Sequence, residues 1–184
     1  MIAYLKGKIV LKNIHSAVVV VNDVGYEVFL SAKNLEALKK NDEKEFYTHE
    51  YLREDSRELY GFMSLGELNF FRQLLSVSGV GPKMAMNILS IADLEDLRAA
   101  VNSGSLTLLT SGSGVGTKTA QKIILELKGK LVDAGGGDAD EVTGALINLG
   151  YSRDQALAAV KNIPKDFQKT EDRLRAALKS LGKK

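Results

Sequence analysis

The chain has 184 residues, 45% of them apolar, no cysteine, and a formal net charge of +2. That length allows one domain or two to three small ones, while the missing cysteines exclude a disulfide framework, a redox dithiol and any thiolate metal site. The near-balanced charge argues against a polybasic coat that holds nucleic acid by charge alone, and no run approaches the length of a membrane span. The segment Met1–Lys6 lacks the apolar core of a signal peptide, so a soluble, cytoplasmic protein is expected.

Residues 1–62 read as β. Leu5–Leu11 gives a first strand, with Gly7 inside it predicting a bulge or sharp bend. Ala17–Val21 is a β-branched run, Asn22-Asp23-Val24-Gly25 is turn chemistry, and Tyr26–Leu30 is apolar with one charge. A helical stretch over Asn34–Lys40 precedes the aromatic-rich Phe46–Leu52, and Leu59–Phe62 closes the segment. Five short strands with one helix predict a small closed barrel of the oligonucleotide/oligosaccharide-binding (OB) type, with a plain β-meander as the alternative. His15 and His49 read as partly exposed strand residues without ligand partners at metal spacing. Between the last two strands, Arg53-Glu54-Asp55-Ser56-Arg57 reads first as a solvated turn. A sharper reading notes two adjacent carboxylates that would repel a phosphate backbone.

From Leu65 the period becomes helical, with Leu68, Phe71, Leu74 and Leu75 on one face. A helix to about Ser90, a second over Asp93–Asn102, a short one near Leu106–Leu109 and a fourth over Lys118–Leu131 follow. Within this segment a phrase occurs twice. Ser78-Gly79-Val80-Gly81-Pro82-Lys83-Met84-Ala85 returns as Ser113-Gly114-Val115-Gly116-Thr117-Lys118-Thr119-Ala120, its first glycines 35 residues apart. Two glycines around one apolar residue make a tight turn that larger side chains would obstruct. The turn presents backbone amides at a helix N-terminus, where an anion is favoured, and a lysine two residues on adds positive charge. The duplication points to two phosphate grips on one nucleic acid, holding it without reading sequence. The plain alternative is a pair of helix–helix turns without a ligand.

Neither nucleotide motif fits. A P-loop needs its lysine directly after the last glycine, but Thr117 intervenes between Gly116 and Lys118. No βαβ unit surrounds the phrase, as a dinucleotide fingerprint would require. Charge follows the same division. Residues 63–132 carry seven Lys/Arg against five Asp/Glu, compared with nine against ten before them and nine against eight after. So small an excess serves a polyanion if it lies on one face or is repeated across subunits. Residues 133–140, with Gly135-Gly136-Gly137 among acids, read as a flexible linker. Residues 141–184 read as three short amphipathic helices over Glu141–Leu149, Arg153–Lys161 and Glu171–Leu181, the first stopped at Leu149-Gly150-Tyr151.

These residues together resemble the RuvA family, the Holliday junction-binding subunits of bacterial branch-migration complexes. The resemblance rests on Met1-Ile2-Ala3-Tyr4-Leu5-Lys6-Gly7, Arg53-Glu54-Asp55, Leu59-Tyr60-Gly61-Phe62, Gly79-Val80-Gly81-Pro82-Lys83, Lys118-Thr119-Ala120-Gln121-Lys122 and Leu149-Gly150-Tyr151. It implies a multidomain α+β chain: an OB-like barrel (1–62), tandem helix-hairpin-helix motifs (63–132), a linker, and a mobile three-helix domain (141–184). It implies a non-catalytic subunit, without cofactor or metal, that forms a homotetramer, or an octamer on DNA, around an open four-way junction. A RuvB-type hexameric ATPase and a RuvC-type resolvase are the implied partners. By position, Gly79, Val80, Gly81, Lys83, Gly114, Val115, Gly116, Lys118, Thr119 and Lys122 would hold duplex arms. Glu54 and Asp55 would form an acidic pin at the crossover, and Leu146, Leu149 and Tyr151 would meet the ATPase. The chain departs from the family at Gly112-Ser113, where an apolar residue and a proline are usual; that implies a looser second turn. The competing classes are a hairpin-bearing repair glycosylase or nuclease, which would need a catalytic acid or lysine and often a metal, and a single-strand binder stacking bases on Tyr26, Phe29, Phe46, Tyr47 and Tyr51.

Overall fold

The computed structural model describes residues 1–128, 142–146, 149–161, 163, 167 and 170–182. It divides into two compact units, Met1–Leu131 and Val132–Lys184. The expected linker lies outside the described residues.

The first unit opens with a closed barrel of strands β1 (Tyr4–Lys12), β2 (Ser16–Val21), β3 (Val24–Phe29), β4 (Glu43–Leu52) and β5 (Arg57–Phe62), ordered β1-β2-β3-β5-β4. All pairs are antiparallel except β3 with β5. Alternation drives the inside–outside choice. In β1 the buried Leu5, Gly7 and Ile9 alternate with exposed Tyr4, Lys6 and Lys8. The β2–β3 turn is tighter than the sequence suggests. Only Asn22 and Asp23 form it, at φ 48° and 64°, and Val21 already pairs with Val24. Two consecutive positive φ values make the type I′ hairpin that matches strand twist.

Gly7 is required by close approach rather than by a bulge. A Cβ there would strike the Val20 carbonyl of β2 and lie 2.8 Å from Val21 Cγ2. The bulge falls later, between Ile9 and Leu11, where the β1–β2 register shifts. His15 is exposed in the β1–β2 turn rather than on a strand. His49 is half-buried on β4 with its ring 5.5 Å from Phe71.

Helix α1 (Ala32–Ala37) starts two residues earlier than the expected Asn34, because the Ser31 hydroxyl accepts from the Asn34 amide, and ends three residues before Lys40, with Leu38 extended at ψ 140°. Helix α2 (Leu65–Leu75) is capped in the same way by Ser64, and the Glu67 carboxylate accepts from the Met63 amide and from Asn34 Nδ2, each at 3.0 Å. The remaining helices of this unit are α3 (Pro82–Leu89), α4 (Leu94–Ser103), α5 (Leu106–Thr110) and α6 (Thr117–Leu127). Helix α6 is shorter than predicted. Lys128, directly before Gly129, turns to ψ 125° and ends it, although lysine itself favours helix.

Two cores serve this unit. One fills the barrel, around Leu5, Ile9, Val19, Val28 and Phe46. The other joins the barrel's outer face to the helices. Phe71 of α2 is its hub, fully buried with ring centroids 5.4 Å from Tyr60 and 4.8 Å from Phe62. Full burial of such a ring contributes about 1.5–3 kcal/mol. Phe29, Tyr47 and Tyr51 pack on the same core and Phe46 is wholly inside the barrel. Of the aromatics that a single-strand binder would expose, Phe46 is fully buried, and Tyr26, Phe29, Tyr47 and Tyr51 are half-buried against the two cores. The α1 segment adds polar ties to the helices: the Ala32 amide donates to Ser90 Oγ at 3.0 Å, and Lys33 pairs with Asp93.

The second unit contains a helical stretch α7 (142–146), α8 (Arg153–Lys161) and α9 (Thr170–Leu181), packed on Val142, Leu146, Ala156, Ala159 and Ala177. Gly150 at φ 94° lets the Tyr151 amide reach back to the Leu146 carbonyl at 3.2 Å, the expected glycine stop. Ser152 and Gln155 then cap α8 reciprocally, each side chain accepting from the other's amide.

Candidate nucleic-acid interface

The repeated phrase takes the same backbone path twice. Helices α2 and α3 flank the first copy, and α5 and α6 the second. Gly79 and Gly114 stand at φ 90° and 83°, the left-handed region that disfavours any side chain. Val80 and Val115 are each 6% exposed and anchor the turns in the helical core. Gly81 and Gly116 are extended N-caps, and their carbonyls accept from Ala85 and Ala120. Neither cap supplies a side-chain bond, unlike Ser31 and Ser64.

Helix geometry leaves the amides of Gly81, Lys83 and Met84 without intrahelical acceptors, Pro82 having no N–H. It does the same for Gly116 to Thr119. Lys83 and Lys118, in the first turns of α3 and α6, are exposed, Lys122 is exposed one turn further along α6, and Thr119 is half-buried. Each turn therefore offers a short row of N–H donors, the positive end of a helix and a mobile ammonium, the arrangement that accepts a phosphate.

The second turn has props that sequence reading missed. Asn87 of α3 donates from Nδ2 to the Ser113 carbonyl at 3.1 Å. Ile91, just past α3, packs against Gly112: a Cβ there would lie 2.5 Å from Ile91 Cδ1 and 2.8 Å from Cγ1. The only signal in the sequence was the repeat offset, which sets Gly112 opposite the buried Val77 and Lys122 opposite Asn87.

Glu54 and Asp55 are exposed at the tip of the β4–β5 loop, which the Arg53 amide closes by donating to the Ser56 carbonyl at 2.8 Å. Neither carboxylate forms an ion pair or a side-chain hydrogen bond among the described residues. The flanking arginines are turned to the barrel. Arg53 lies 5.0 Å from the Tyr51 ring centroid, and Arg57 binds the Glu50 carboxylate, which also meets the Met1 amino group at 3.6 Å. The Arg57 hydrogen bond is the main cause that holds the Glu50 carboxyl below its usual range. The tip thus carries net negative charge outward.

In the second unit, Leu146 is fully buried in the bundle core, so it does not reach the surface where a partner contact would need it. Leu149 is 60% exposed and Tyr151 half-buried, directly beside the glycine stop. Leu157, which periodicity assigned to no site, is also exposed. Among the described residues no three His, Cys, Asp or Glu side chains are grouped to hold a metal, and no helix is long and apolar enough to cross a membrane.

Three family descriptions match along the chain: RuvA N terminal domain over residues 1–61, SAM-like Helix-hairpin-helix tandem over 71–130, and RuvA, C-terminal domain over 137–182. Full-length relatives agree. The chain is 41% identical over 192 residues to the Holliday junction branch migration complex subunit RuvA of Dechloromonas aromatica (strain RCB), covering all of both chains. It is 40% identical over 194 residues to that of Alkaliphilus oremlandii (strain OhILAs), again covering both completely. It is 41% identical over 193 residues to that of Neisseria meningitidis serogroup C, covering 98% of this chain and 99% of the relative. The chain belongs to the RuvA family.

Proposed function

We propose, from that membership and the geometry of the two hairpins, that this chain binds four-way DNA junctions as the non-catalytic subunit of a branch-migration complex. The observation that carries the reading is the duplicated turn: a glycine at φ 90° or 83°, a buried valine and an N-cap that leaves its helix amides to an outside acceptor. Lysines beside those amides add charge that salt can screen. Duplex arms rest on the two grips through their phosphates, so binding has no sequence preference, as migration along any sequence demands. A tetramer multiplies the grips, and avidity offsets the small charge excess of each subunit. A second tetramer clasping the junction would make an octamer.

The exposed Glu54 and Asp55 act as the pin at the crossover, repelling backbone phosphates and keeping exchanging bases apart. The C-terminal unit recruits a RuvB-type hexameric ATPase, with Leu149 and Tyr151 at the contact and Leu146 shaping it from the core. The ATPase supplies the force, a RuvC-type resolvase follows on the same junction, and the complex works in the cytoplasm, in recombination and repair.

The deciding experiment is a competition between a labelled synthetic four-way junction and excess linear duplex of the same arm sequences, at fixed near-physiological salt. Retained junction in a complex of four or eight chains supports the reading. Equal competition by duplex overturns it and leaves a generic hairpin grip of the kind repair enzymes use. The pin is tested separately by Glu54→Gln with Asp55→Asn: junction binding holds or tightens while ATPase-driven migration changes. Migration identical to the parent removes the pin role.

A further inference from the structure

Both turns are closed by one backbone bond, Val80 amide to Val77 carbonyl at 3.0 Å and Val115 amide to Gly112 carbonyl at 3.3 Å, but the second lacks a buried side chain of its own behind the glycines. In the first, Val77 lies 1% exposed behind the glycines, and its amide donates to the Leu74 carbonyl at 3.1 Å. At the matching place the second has Gly112, whose φ lies outside the left-handed region, so the backbone does not call for glycine. The reason is space, because the Ile91 side chain occupies the volume a Cβ would enter. Next to it, Asn87 Nδ2 donates to the Ser113 carbonyl and lies 3.9 Å from the place of a Cβ on Gly114. The props come from the last turn of α3 and the residues just past it, and the N-terminus of the same helix forms the proposed first grip.

We propose that Asn87 and Ile91 are positioning residues that fix the second phosphate grip relative to the first, so that the two hairpins meet DNA as one rigid pair. The inference rests on the phosphate-grip reading of the hairpins. Helix α3 then serves two turns: its start offers amides to one phosphate, and its end sets the turn that offers amides to the next. On this proposal the departure at Gly112-Ser113 does not loosen the turn. An apolar side chain and a hydrogen bond from Ile91 and Asn87 take the place that Val77 fills from within the first hairpin.

The test is the salt slope of four-way junction binding by the full chain. In the parent, Lys83→Ala and Lys118→Ala each lower the slope by about one contact per subunit; if neither does, the grip reading fails and this proposal with it. Asn87→Ala is expected to weaken junction binding by about two- to tenfold, the loss of one hydrogen bond. In that background Lys118→Ala loses most of its effect on the slope, while Lys83→Ala keeps its own. Undiminished effects of both lysines overturn the proposal and leave the grip reading intact. Loss of both effects marks a merely structural role and overturns it too. A size swap provides the rescue: Gly112→Val weakens binding, and adding Ile91→Ala restores it. A Gly112→Val protein that binds like the parent, or one that Ile91→Ala fails to rescue, counts against the proposal.

Discussion

In both hairpins a glycine at positive φ, a buried valine and an exposed lysine recur at the same offset, yet the residues behind them differ. Val77, Pro82 and Met86 are buried in the first hairpin, whereas their counterparts Gly112, Thr117 and Gln121 are half-buried or exposed in the second. The flanking helices differ as well, with α2 running eleven residues and α5 only five. The surface proposed to meet phosphate is repeated; what supports it is not. A phosphate constrains only the donors and charges that meet it, so two copies can reach one geometry on different foundations.

The largest blow to this contrast would come from Val77. Replacing it with glycine removes a fully buried side chain and loosens the backbone, and about 2–4 kcal/mol of stability should be lost in urea unfolding. A loss below about 0.5 kcal/mol would mean that the first turn does not support itself. Next come Gly79→Ala and Gly114→Ala, each expected to cost about 1–2 kcal/mol because φ is left-handed. The two costs should agree within about 0.5 kcal/mol: nothing lies within 4 Å of a Cβ at Gly79, and only Asn87 Nδ2, at 3.9 Å, approaches one at Gly114. Unequal costs would break the equivalence of the turns.

A smaller gain should follow from giving the second hairpin the proline of the first. Gly116 at φ −79°, ψ 161° already has the extended conformation favoured before proline, and the first helical amide is dispensable to the helix. Thr117→Pro is therefore expected to raise stability by about 0.4–1 kcal/mol with junction binding retained. The weakest effect concerns pH. Burial, and secondarily the Arg72 charge, lowers the His49 pKa below 6.5. The unfolded chain then binds the proton more readily, so stability declines as pH drops below 6.5 and levels off beneath the depressed value. His49 packs on α2, the first helix of the first hairpin, and His49→Gln should flatten the decline between pH 8 and 5. An unchanged decline would assign it to other groups.

Much of this architecture is legible in residue order. Alternation in Leu5, Gly7 and Ile9, the pair Asn22-Asp23, and the serines before α1 and α2 each act through neighbours a few positions away, and the twin glycine phrases announce their own geometry. What escapes is set by distant chain. Gly7 signals a distortion, but only the path of β2 shows that it is a close approach. Gly112 reads as a defect until Ile91 is seen in its place. Leu146 and Leu149 read alike as apolar residues of one helix, yet one is core and the other surface, because Leu149 lies in the turn with Gly150 rather than on the packed helical stretch.

The barrel's seam has a further consequence. Strands β1 with β2, β2 with β3, and β4 with both β1 and β5 are joined by runs of at least four pairs, but β3 meets β5 at the single pair Phe29 and Tyr60. Their rings lie 5.6 Å apart, and Tyr60 leans on Phe71 of α2. The cylinder is thus shut by side chains of the helical layer more than by its own backbone ladder. In amide hydrogen exchange the seam should report the same opening free energy as α2, rising and falling with it as one cooperative foldon. A fragment cut after Phe62 would lose that clasp and fray there first. The junction between the barrel and the hairpins is where the family descriptions divide the chain, but it is not where the chain would come apart.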